Sequence, residues 1–188
     1  MKRIVILLIM VAIVLGVNQY LKKASTGSAL EKINEKRGMI GTLLEEREVS
    51  DGEVVFYMNQ DGERSPVVYA DYVKKTFLGW KWAAGGGHSV PAATGAETAW
   101  SYQYMAATKG SFFGSSPFPL VFGTFNNSAI KSVIVKSVLT GEETQAVLNE
   151  TQKTDILWYA FVPEAQGEAF ELKGLSQTGD LISEKRMN

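Results

Sequence analysis

An unbroken apolar run, Ile4 to Val17 (IVILLIMVAIVLGV), follows Met1-Lys2-Arg3 and precedes Asn18-Gln19-Tyr20-Leu21-Lys22-Lys23. It has no polar face, so a helix built from it cannot lie half in water and half on a core. A membrane supplies the apolar surround that it needs. At about 1.5 Å per residue, a helix from Ile4 to Leu21 would extend roughly 27 Å, slightly less than a hydrocarbon core of about 30 Å. Tyr20 at headgroup level and snorkelling Lys22 and Lys23 close the difference. A cleaved signal peptide is the competing reading, because a basic start and an apolar stretch are also its marks. It needs small residues at the cut, and here Asn18 to Lys23 intervene before Ala24. The expectation is an anchor over residues 1–23 that meets the lipid bilayer through residues 4–21 as a transmembrane helix.

Charge alone does not orient that anchor. Lys22, Lys23, Lys32, Lys36 and Arg37 after the run outnumber Lys2 and Arg3 before it, which leans against a cytoplasmic N-terminus. A very short N-terminal flank is nevertheless the layout of an export signal. The expected location is the cell membrane, single-pass, with the C-terminal domain extracytoplasmic. The chain has no cysteine, which excludes disulfides, thiolate metal sites and cysteine nucleophiles. Cysteine-free composition is common among exported proteins of Gram-positive bacteria. A formal net charge of −1 provides no basic field for nucleic acid.

Ser28-Ala29-Leu30-Glu31 is a capping box, with the Ser oxygen and the Glu carboxylate each reaching the other's backbone N–H. Lys36 and Arg37 suit the C-terminal end of the helix dipole, and Gly38 is a natural stop. Residues 24–38 are therefore expected to form a stalk carrying a short helix, Ala29 to Arg37. From about Met39 the pattern becomes strand-like. Glu53 to Met58 and Val67 to Tyr69 read as a hairpin around Asn59-Gln60-Asp61-Gly62. Trp80 and Trp82 alternate with Lys81, and Trp100, Tyr102 and Tyr104 with Ser101 and Gln103, so each set lines one face of a strand. Leu120 to Phe125, Ala129 to Leu139, Thr144 to Asn149, Ile156 to Phe161, Ala169 to Leu175 and Asp180 to Ser183 follow with turn signals between them. Short strands at this spacing predict a mainly β domain over residues 39–188, an Ig-like β-sandwich. Ala83 to Ala96 and Lys109 to Pro119 are expected as long loops.

The search for chemistry finds no complete constellation. His88 follows Gly85-Gly86-Gly87, an arrangement that could present an imidazole as a base. A triad also needs a nucleophile and an orienting acid, and no Gly-x-Ser-x-Gly elbow exists. One histidine cannot build a multi-histidine zinc site. The turn Asn59 to Glu63 lacks the spacing of an EF-hand, and no phosphate-binding or dinucleotide fingerprint is present. The expectation is no catalytic residues, no metal and no cofactor. The aromatics are more telling. Strand positions favour a core role for most of them, whereas Phe112, Phe113 and Phe118 lie in a Gly/Ser/Pro segment and are expected to form a contact loop. Trp80, Trp82 and His88 complete the candidate binding set.

Lys74-Lys75-Thr76-Phe77-Leu78-Gly79-Trp80-Lys81-Trp82, Gly85-Gly86-Gly87-His88 and Pro117-Phe118-Pro119-Leu120-Val121-Phe122-Gly123 resemble segments of single-pass exported proteins of Bacillus-like Gram-positive bacteria. The resemblance implies a membrane-anchored extracytoplasmic domain and carries no assigned activity. The functional expectation is a non-enzymatic, membrane-tethered domain that binds a protein partner or a cell-envelope component. An envelope hydrolase using His88 and a structural subunit of a membrane complex are the alternatives.

Overall fold

The computed structural model describes residues 10–13, 15–17, 19, 27–60, 65–91, 98–108, 116–150 and 155–187. Ser28 caps a helix, α1 (Ala29–Arg37), through the reciprocal box expected from its sequence: its Oγ accepts from Glu31 N and its own N–H donates to Glu31. Gly38 ends it at φ 84°, a conformation that glycine adopts without a Cβ penalty.

The remaining chain is mainly β. Strands β1 (Thr42–Val49), β2 (Gly52–Asn59), β3 (Val67–Thr76) and β4 (Gly79–Ser89) form a first antiparallel sheet in sequential order. Strands β5 (Gln103–Met105), β6 (Leu120–Phe125), β9 (Val147–Asn149) and β10 (Ile156–Phe161) form a middle sheet, ordered β5-β6-β10-β9. Strands β7 (Ser132–Ser137), β8 (Glu143–Gln145), β11 (Phe170–Leu175) and β12 (Leu181–Arg186) form the third, ordered β12-β11-β7-β8.

These sheets stack because the middle one is apolar on both faces. One face of β6 and β10 sends Leu120, Phe122, Leu157 and Tyr159 against Val54, Phe56, Val68, Ala70 and Tyr72 of the first sheet. The opposite face sends Val121, Phe125, Ile156 and Trp158 against Val133, Val135, Phe170 and Leu172 of the third. Phe56 stacks on Tyr159 at 4.6 Å between ring centroids and meets Phe122 edge-on at 6.0 Å, geometries that aromatic quadrupoles favour. The outer face of the first sheet is closed by α1, where Ala29 and Ile33 pack on Val55, Tyr57 and Val73. The third sheet's outer face carries Lys136–Glu171 and Lys173–Glu143 pairs and faces water.

The order of layers is thus helix, sheet, sheet, sheet, where the sequence reading expected an Ig-like sandwich of two. The mainly β class stands; the extra layer follows from β6 and β10 having two buried faces instead of one. The helix expected within a stalk lies flat on the first sheet. The loop expected from Ala83 to Ala96 is strand as far as Ser89, and residues 92–96 of that stretch lie outside the described residues. Met10, Val11, Ile13, Leu15 and Val17 are helical and about half exposed. Much of the 4–21 segment lies outside the described residues, and among those described no helix is long and apolar enough to cross a membrane.

Phe56 of the first sheet is fully buried against the Phe122 and Tyr159 rings of the middle sheet. Phe56→Ala is expected to destabilise the fold by about 3–5 kcal/mol in denaturant unfolding, whereas Leu139→Ala, at an exposed turn, should change it by less than about 0.5 kcal/mol.

Candidate functional site

The outer face of the first sheet holds a charged group that its surroundings would not otherwise tolerate. Asp71, in the middle of β3, is completely buried. An ionised carboxylate there is costly unless its oxygens are filled. Oδ2 accepts from Tyr57 Oη at 2.6 Å, and Oδ1 accepts from Trp82 Nε1 at 2.9 Å and from Arg37 Nη2 at 3.0 Å. Arg37 comes from the last turn of α1, so this carboxylate ties the helix to the sheet. Its guanidinium also lies over Trp82 and Tyr69, 5.4 Å and 5.6 Å from the ring centroids, and Lys36 lies 5.1 Å from Trp82. Burial lowers the affinity of Arg37 for its proton, but the hydrogen bond and charge of Asp71 outweigh this and raise its pKa. Burial and the same carboxylate push the Tyr57 hydroxyl far up, so it donates throughout the physiological range.

The glycines before His88 explain how this group fits. Gly85 is paired with Asp71, and a Cβ on Gly85 would stand 1.5 Å from Asp71 Oδ1. Gly87 is paired with Tyr69, and a Cβ there would enter the tyrosine ring at 2.4 Å. Gly86 points to the opposite face, where a Cβ would come within 2.8 Å of Gln103 Nε2. Each glycine answers a close approach by a neighbouring strand, not a need for loop freedom.

Beyond the helix, the same face opens into a cleft of about 480 Å³ lined by Glu48, Val49, Ser50, Asp51, Gly52, Glu53, Lys75 and Trp80. Trp80 is partly exposed, and Lys75 Nζ lies 5.5 Å from its ring centroid. Burial and the neighbouring Glu46 and Glu48 raise the Glu53 pKa, with Lys75 opposing them. Asp51 is held the other way: burial pushes it up, but hydrogen bonds from Lys74 and Tyr72 and the charge of Lys74 bring it below its ordinary value. Lys74 Nζ is 2.7 Å from Asp51 Oδ2, and Tyr72 donates to Oδ1. The cleft wall is therefore a braced hairpin end. Phe77, in the turn between β3 and β4, is 87% exposed.

The candidate residues do not converge on one site. Trp80 and Trp82 share the outer face of β4, but Trp82 is engaged with Asp71 and α1 while Trp80 faces the cleft. His88 lies on the inner face of β4, its ring edge-on to Phe122 at 5.2 Å, and among the described residues neither ring nitrogen has a hydrogen-bond partner. Phe118, expected on a contact loop, is instead 6% exposed and packs edge-on against Tyr72. Phe112 and Phe113 lie outside the described residues. Sequence reasoning missed Asp71, Tyr57 and Arg37 as a unit. The available signal was a lone carboxylate inside the strand Val67-Val68-Tyr69-Ala70-Asp71-Tyr72-Val73.

No protein-family model matches the chain, and neither a curated protein nor a solved structure matches it. Among the described residues, no group of three or more histidines and carboxylates is placed to hold a metal ion.

The steric account of Gly85 makes a coupled prediction. Gly85→Ala should cost about 1–3 kcal/mol in the wild-type background, as overpacking does. In an Asp71→Ala background the clashing atoms are gone and the cost should fall below about 1 kcal/mol, a coupling that a double-mutant cycle in denaturant measures.

Proposed function

We propose that this chain is a membrane-anchored extracytoplasmic binding domain, held to the bilayer through residues 4–21, that receives a protein partner or an envelope component in the cleft around Trp80. The apolar N-terminal run, the short capped helix and the cysteine-free β domain support the location. The resemblance to exported Gram-positive proteins points the same way. One observation carries the site: a partly exposed tryptophan, fixed on a strand of a packed sheet, opens into a cleft edged by carboxylates and one lysine. Rigid aromatic anchors of this kind dominate binding energy where they meet a partner. An acidic edge adds selectivity for a partner with basic or hydroxyl groups.

The hydrolase alternative rests on His88. Its buried nitrogens, with no hydroxyl or carboxylate bonded to them among the described residues, favour the binding reading. A structural subunit held by the apolar segment alone would lose its role when residues 1–23 are exchanged for an unrelated anchor. A domain that binds through Trp80 would keep it.

A photo-crosslinking residue placed at position 80 of the full chain in its native membrane is expected to give a dominant adduct, with none from position 139. Trp80→Ala is expected to weaken capture of that adduct's partner about tenfold or more, the effect of losing a central aromatic anchor, without loss of the folded domain. Equal adducts from both positions, or unchanged capture, would overturn the assignment of the cleft.

A further inference from the structure

The first and middle sheets meet at one edge through a polar pair that nothing in the binding reading uses. His88 of β4 points inward, opposite Val68, and Gln103 of β5 faces it from the middle sheet beside Phe122. Both imidazole nitrogens and Gln103 Oε1 are buried, in side chains that are otherwise partly exposed, and within hydrogen-bonding geometry none has a partner among the described residues. The side chains packed around the pair, Val68, Ala70, Leu120 and Phe122, are apolar. Unpaired buried polar atoms are costly, so this edge is under-satisfied even when the ring is neutral. β5 is only three residues long and an edge strand of its sheet, so a short ladder holds this side of the joint.

We infer that the β4–β5 edge is an acid-opened joint, in which protonation of His88 separates the first sheet from the middle sheet at that edge. Among the described residues, the groups facing this interlayer offer a protonated ring little beyond the Gln103 amide. Val68, Ala70 and Tyr72 of β3 face it, and the Tyr72 hydroxyl is given to Asp51. From the middle sheet come Gln103, Met105, Leu120, Phe122, Leu157 and Tyr159, and the Tyr159 hydroxyl is given to Glu45. Glu45 and Arg47 of β1 and Lys74 and Lys81 at the far end of β3 and β4 have inward register positions. Among the described residues, burial disfavours a proton on the ring and the nearby Gln103 amide opposes this more weakly. A buried imidazolium with no anion at hand is strongly disfavoured. Opening admits water and removes that penalty.

Burial pushes the imidazole down to about 4, against a smaller upward pull from Gln103. With the closed-state value below the ordinary value of 6.5, the open state binds more protons between these limits. The closed joint is therefore fully favoured above pH 6.5 and loses stability as pH falls toward 4. The limiting slope is about tenfold in the opening equilibrium per pH unit. This inference does not depend on the proposed function, although β4 also carries Trp80 and Trp82.

His88 is the sole histidine in the chain, so its ring C–H resonances need no assignment. In the full chain in detergent or nanodiscs, they should stay at the neutral position down to about pH 5. Hydrogen exchange, corrected for intrinsic rates, should show opening of β4 and β5 rising about 30-fold or more from pH 6.5 to 4.5, with β11 unchanged. His88→Leu and His88→Gln should each abolish the rise; the second variant keeps polarity should the first fail to fold. A ring titration near pH 6.5, or the same acid-dependent exchange in the variants, would overturn the joint.

Discussion

The architecture depends on burying both faces of β6 and β10. A strand with one covered face can alternate apolar and polar residues, as β7 and β11 do. Leu120 to Phe125 is buried at every position, and Ile156 to Ala160 likewise. Full burial of a large apolar side chain contributes about 1.5–3 kcal/mol, and these two strands carry such side chains in both directions. Two further sheets are the consequence. Phe56, Phe122 and Tyr159 bind the first sheet to the middle one, and Trp100, Trp158 and Phe170 belong to the core that binds the third.

This stack holds the first sheet rigid enough for its outer face to be organised by polar groups. Asp71 there accepts from three donors on three elements. A buried ion pair adds little net stability compared with apolar packing, and its best-attested role is to specify one arrangement. Here the arrangement is the seat of α1, whose last turn brings Arg37 onto Asp71. With α1 seated, Trp82 is engaged by Arg37 and Asp71 while Trp80 lines the cleft, and both rings stay partly exposed.

Much of this was legible in the residues. The capping box at Ser28 read as a helix start because its hydrogen bonds are local. Leu120 to Phe125 and Ile156 to Phe161 read as strands because their periodicity and turns are local. The third layer was not read, although a continuous apolar strand is the sign of two buried faces. Gly85-Gly86-Gly87 was misread as a loop because glycine permits turns and close strand approach alike. Only the register against β3 tells these apart. Phe118 suggested a contact surface from its Pro/Ser neighbours, but tertiary packing against Tyr72 decided its burial. The Asp71 cluster joins residues from α1, β2, β3 and β4, and no local pattern encodes such a meeting.

Native-state hydrogen exchange under low denaturant tests the double-sided burial most directly, because it reports the free energy at which each strand opens. The account predicts that the amides of β6 and β10 exchange last, only through global unfolding, ahead of none in β2, β3, β7 or β11. Exchange of β6 and β10 at the rate of the exposed edge strand β12 would contradict it.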